Sequence, residues 1–256
     1  MEDAGRGWSP AARHFKGPAL AGLLFLLLAA APPAAAEPLR VLFIGNSLTA
    51  SNDLPGIFAA LAEGGGHARP ITGALVVGGF SLEDHWNRGE AQKSIATRRW
   101  DIVVLQQGPS ALPESRVLLR EYARRFAGEA RKTGARTALY MVWPSKARSR
   151  DFDAVSESYA LAARDVDGLL IPAGDAWREV WRRDPGTALY GSDDFHPSAL
   201  GSYVAALTVW RALSGASVVG LPGPSAISSG MLPLLQVEVD RATAVSGSAS
   251  RSGGPR

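Results

Sequence analysis

Three residues of this chain have the types that together open an ester: a serine at Ser47, and an aspartate and histidine at Asp193 and His196. A serine hydroxyl is a poor nucleophile at neutral pH. It becomes a good one when an imidazole takes its proton and a carboxylate holds that imidazole in the correct tautomer. In VLFIGNSLT four apolar residues end abruptly in Gly-Asn-Ser-Leu-Thr, which places Ser47 where a buried strand would meet solvent. A serine so placed also serves as a turn residue or a helix cap. It does not sit in G-x-S-x-G, since Thr49 takes the second glycine's place, and no G-x-x-x-x-G-K-[ST] phosphate loop occurs. Asp193 and His196 stand three residues apart in YGSDDFHPS, just before a helix opening at Pro197-Ser198. Asp194 is the alternative carboxylate, and the three-residue interval favours Asp193.

Two further turns bear on the same chemistry. Gly78-Gly79-Phe80-Ser81 and Gln106-Gln107-Gly108-Pro109-Ser110 each offer backbone N–H groups, and the second also side-chain amides, to a developing oxyanion. Read without chemistry, both are ordinary strand-to-helix turns.

For these stations to meet, they must lie along one edge of a sheet. Apolar runs at 40–45, 71–77, 101–106, 135–143 and 168–172 read as strands. Amphipathic stretches at 54–64, 114–132, 152–164 and 198–213, and a short one at 90–97, read as helices between and after them. The alternation predicts a three-layer α/β/α domain on a five-stranded parallel sheet. Ligands of such sheets bind beyond the carboxyl ends of the strands, where all four turns would sit. A closing helix is expected from 231 to 244 and a disordered tail over 247–256, which sets the domain at 37–246.

Composition narrows the function. The 256 residues are 46% hydrophobic and 20% charged, enough for one sizeable core. With a net charge of +3 and no stripe of interleaved basic and aromatic residues, nucleic acid is not an expected partner. His67 and His85 lack paired ligand spacing, so neither metal nor other cofactor is expected. Arg6, Arg13 and Lys16 precede the apolar stretch 19–31, and Ala34-Ala35-Ala36 follows. The pattern predicts a signal peptide over 1–36, cleaved after Ala36, export to the periplasm or medium, and no lasting membrane insertion. The chain has no cysteine, so disulfides do not hold the exported domain.

Taken in order, the four stations resemble the SGNH (GDSL-like) hydrolase family over residues 40–213. GNSLT resembles its nucleophile block with Asn46 in place of the usual aspartate, and SDDFHPS its terminal D-x-x-H-P block. The resemblance implies a flavodoxin-like sheet and cofactor-free ester hydrolysis through an acyl-enzyme, with Ser47 as nucleophile, His196 as base and then acid, and Asp193 as its orienting partner. It also implies an oxyanion hole from Ser47, Gly79 and one residue of the third block. There the family's usual asparagine is replaced by Ser110, and QGPS resembles the Q-G-E-S form of some carbohydrate esterases, which points to Gln107, with Gln106 as the alternative. The activity so implied is removal of short acyl groups, with carbohydrate as the favoured carrier and Trp143, or Trp86, as a sugar-stacking wall. The rivals are a non-catalytic carbohydrate-binding domain on the same fold and an acyltransferase.

Overall fold

The structure, a computed structural model, describes residues 37–251 apart from 226 and 229; the expected signal peptide lies outside the described residues. β1 (Arg40–Gly45) is followed by the single turn α1 (Ser47–Ala50) and by α2 (Leu54–Gly64). Then come β2 (Ile71–Val76), α3 (Leu82–Arg88), α4 (Glu90–Thr97), β3 (Ile102–Leu105), α5 (Pro113–Lys132) and β4 (Arg136–Met141). A 3-10 segment, Lys146–Asp151, leads into α6 (Phe152–Asp165), β5 (Leu169–Pro172), α7 (Ala173–Arg183), α8 (Ala199–Ser214) and α9 (Met231–Arg251).

All five strands are parallel, in the order β2-β1-β3-β4-β5. The fold is that expected: an α/β sandwich on a five-stranded parallel sheet. The central strands read as unbroken apolar runs because both faces are covered. Val41, Phe43, Val103, Leu105, Ala138 and Leu139 are all fully buried. Phe43 meets Phe58 of α2 edge-on at 6.1 Å, and Phe58 meets Trp210 of α8, which builds one face. There α2 packs on α8, and α8 on α7 and α9; on the other face α5 packs on α3, α4 and α6.

The chain turns outward from β1 in both directions, to β2 on one side and to β3 on the other. That reversal opens a crevice at the carboxyl ends of β1 and β3. Two helices were not expected. α3 begins with a reciprocal capping box, Ser81 and Asp84, whose S-x-x-D signal is short and easily overlooked. α7 follows β5 directly: Pro172, the strand's last residue, is also the helix's N-cap, so no loop separates the two. At the C-terminus α9 runs through Arg251 and takes in the first residues of the expected tail; 252–256 lie outside the described residues.

Candidate active site

The nucleophile turn is built by glycine and asparagine. A Cβ on Gly45 would lie 2.4 Å from Gln106 Oε1, so only glycine lets the β3 side chain reach across. Gln106 Oε1 accepts from the Asn46 N–H and the Thr49 hydroxyl, both at 2.8 Å, and Gln106 Nε2 donates to Asn46 Oδ1 at 3.0 Å. Asn46 caps α1 through Oδ1 to the Leu48 N–H at 3.1 Å, and its Nδ2 donates to the Phe80 carbonyl at 3.0 Å. One buried amide thus joins the loops after β1, β2 and β3 and sets Ser47 at the first position of α1.

Ser47 Oγ lies 2.8 Å from His196 Nε2, and His196 Nδ1 lies 2.5 Å from Asp193 Oδ2. Since a carboxylate only accepts, Nδ1 carries the proton and Nε2 receives the serine O–H. Asp193 Oδ1 also accepts from the backbone N–H groups of His196 at 2.9 Å and Phe195 at 3.1 Å. The His196 hydrogen bond, reinforced by those two backbone donors, holds the Asp193 carboxyl down at about 2, so it is ionised throughout the neutral range. Asp194, the alternative carboxylate, sits in the left-handed region at φ 56° and pairs instead with Lys146 at 3.1 Å.

The loop carrying this pair is held from several sides. Tyr190 and Pro197 form an antiparallel bridge across its base. Trp143 Nε1 donates to the Phe195 carbonyl at 3.0 Å, Tyr190 donates to the Pro144 carbonyl at 2.7 Å, and the Lys146 N–H donates to the Asp194 carbonyl at 2.9 Å. Asn52, at φ 55°, donates to the Pro197 carbonyl and to Ser202 Oγ. Sequence reading missed Asn52, although Asn-Asp ahead of Leu-Pro is a signal for left-handed backbone.

Two expectations change. Trp143 is fully buried and stacks on Trp177 with centroids 3.5 Å apart, so it supports the histidine loop from below and offers no face to a sugar. Trp86 likewise packs edge-on against Phe126. Gln107 borders the cleft, but its amide is fully engaged: Nε2 donates to Ser110 Oγ at 3.0 Å and to the Ser115 carbonyl at 3.1 Å, while Oε1 accepts from the Leu82 N–H. Gln106 is equally committed, and the Ser110 hydroxyl donates to the Gly108 carbonyl. Tyr159 and Ser158 of α6 staple this loop through the carbonyls of Gln107 and Ser110. By contrast the N–H groups of Ser47 and of Gly79, which turns at φ 77°, meet no acceptor among the described residues. Both residues border the same cleft, so these two N–H groups are candidate donors to an oxyanion there.

His85 holds the β1 end from beneath: its Nε2–H donates to the Gly45 carbonyl at 2.7 Å, and burial pushes its pKa down, so the ring is neutral. His67 packs at a tilt against Trp210, with ring centroids 4.8 Å apart. Among the described residues no three histidine or acidic side chains converge on a cation position.

Ser47 opens into a cleft of about 520 Å³ bordered by Gly79, Phe80, the 107–112 loop and the 144–148 segment. No protein-family model matches this chain, and no curated protein resembles it in sequence. Among solved structures, a candidate SGNH hydrolase from Slackia heliotrinireducens is 27% identical with a TM-score of 0.60, covering 69% of this chain and all of its own. A DUF4886 family protein from Bacteroides uniformis is 20% identical with a TM-score of 0.69 over 80% of this chain and 95% of its own. An acetyl-xylooligosaccharide esterase from Geobacillus stearothermophilus is 15% identical with a TM-score of 0.53 over 70% and 94%. The fold of this chain is therefore that of the SGNH (GDSL-like) hydrolases, with esterases among its structural neighbours.

Proposed function

We propose that this protein is an exported serine esterase that removes short acyl groups from a carrier, with carbohydrate as the favoured carrier. One observation carries the reading: a continuous line of hydrogen bonds from Ser47 Oγ through His196 to an ionised Asp193, with two free N–H groups beside the serine.

The reaction follows from that geometry. As Ser47 Oγ bonds to the ester carbon, its proton passes to His196 Nε2, and Asp193 stabilises the imidazolium. Negative charge gathers on the former carbonyl oxygen, where the N–H groups of Ser47 and Gly79 stabilise it more than they do the ground state. Collapse breaks the bond to the alcohol, which leaves with the proton from His196. Water then repeats the sequence: it gives a proton to His196, bonds to the acyl carbon, and Ser47 departs and regains that proton.

Half of the Asp193 side chain and 38% of that of His196 are exposed. Water reaches the acyl-enzyme freely, which favours hydrolysis over transfer to a second alcohol, and a bulky carrier can approach. Carbohydrate as carrier is supported by the activity of one protein of the same fold, on acetyl-xylooligosaccharides.

The test is labelling with a fluorophosphonate probe and turnover of p-nitrophenyl butyrate. Ser47→Ala is expected to lose both, and Asp193→Asn to lower kcat on the order of 10⁴-fold in a folded protein. Normal turnover by Ser47→Ala refutes the reading. Intact-mass measurement of the exported protein is expected to place its first residue at Glu37; retention of 1–36 would refute export by cleavage.

A further inference from the structure

Resting on that reading, the same cleft carries a finer inference about which half of the ester is recognised. Ser47 and Gly79 are among its walls, but His196 is not. The cleft runs from the serine toward the first turns of α5, and of the loop that bears His196 it touches only Phe195. The alcohol has to leave beside His196, because that imidazole returns the proton to it. The acyl group therefore takes the other direction, into the cleft.

The walls there are apolar: Phe80, Pro109, Ala111, Leu112, Leu118 and Pro144. Most of the polar groups among them already have partners. Gln107 bonds Ser110 and the Ser115 carbonyl, the Ser115 hydroxyl donates to the Leu112 carbonyl, and Arg148 pairs with Asp151 at 2.6 Å. A polar ligand placed against α5, away from Arg148 and Ser145, would lose water and find few free partners. Leu112 is half exposed at the rim, one of few large apolar side chains left in water among the described residues. An acetyl group would leave most of this surface uncovered.

We infer that the cleft beside Ser47 is an acyl site on the first turns of α5 that selects unbranched apolar chains longer than acetyl, from butyryl to octanoyl. The carrier side is the open side, at Asp193 and His196.

The experiment is a chain-length series of p-nitrophenyl acetate, butyrate, hexanoate and octanoate on the purified protein, paired with labelling of Ser47 by ethyl and octyl fluorophosphonates. The expected kcat/KM rises about fourfold for each buried methylene, and the octyl probe labels faster than the ethyl probe. Leu112→Gln, at the exposed rim, and Ala111→Trp, which fills the groove, are each expected to lower the octanoate-to-acetate ratio at least tenfold. A ratio that is flat or favours acetate, with labelling intact, overturns the acyl site and leaves the esterase reading standing. A rising ratio that neither substitution changes also overturns it, since the chain then lies elsewhere. Absence of labelling by either probe refutes the esterase reading itself.

Discussion

At the scale of single residues, the third oxyanion donor is where this chain departs most from the family it resembles. Gln107 has the right chemistry and borders the cleft, yet each of its amide hydrogens already has an acceptor and its oxygen a donor. To reach a substrate oxygen it would have to break two of those bonds at the moment of reaction, which forfeits the advantage of a fixed donor. Gly79 pays no such penalty: its N–H has no acceptor among the described residues, and its φ of 77° is one that glycine adopts without strain. Gly79→Ala has room for its methyl group but places an L-residue in the left-handed region, at a cost of about 1–2 kcal/mol that the loop can shed by turning the N–H away. We expect Gly79→Ala to lower kcat about 10²-fold and Gln107→Ala less than tenfold, with p-nitrophenyl butyrate as substrate. A loss of 10²- to 10³-fold in Gln107→Ala would return the donor role to that amide.

At the scale of elements, the histidine loop depends on the end of β4. The loop is long and irregular, and the strand's extension supplies fixed donors and acceptors to it: Trp143 Nε1, the Pro144 carbonyl and the Lys146 N–H. Trp143 itself is immobilised by stacking on Trp177, whose indole donates to the Gly201 carbonyl inside α8. The two indoles thus link β4 to both ends of the segment that presents His196. Trp143→Phe keeps a ring for stacking and removes only the donor to Phe195. Since small misplacement of a catalytic group can cost on the order of 10²-fold, kcat is expected to fall ten- to a hundredfold with KM nearly unchanged. An equal rise of KM, with kcat retained, would show that Trp143 serves binding instead.

At the scale of the whole molecule, His85 ties stability to pH. Burial disfavours its charged form, so its pKa in the folded protein lies below the ordinary 6.5. Above that value neither folded nor unfolded chain protonates this ring, and its contribution is fully present. As pH falls below 6.5 the unfolded chain takes up a proton that the folded one refuses, so stability is lost progressively until the folded pKa is passed. Asp193, Asp84 and Asp165, all held below their usual range, add losses only in stronger acid. Thermal unfolding between pH 7 and 5 is expected to show a falling Tm in the parent and a shallower fall in His85→Gln, which lacks the titrating ring. Identical slopes would exclude His85 as the source.

What the sequence determined by itself is the layout. The apolar runs specify five strands because parallel strands covered on both faces must be apolar throughout, a signal local to each segment. The turn chemistry at Ser47, Gly79, Gly108 and Asp193–His196 marked which residues meet, because strand-end turns of a parallel sheet share one edge. What only the tertiary structure decided is how the polar atoms of those turns are apportioned. Whether Gln107 faces substrate or is held by Leu82, and whether Trp143 stacks on sugar or on Trp177, depends on partners tens of residues away. Those contacts leave no periodic trace in the chain, and a buried amide takes the partners that packing brings to it.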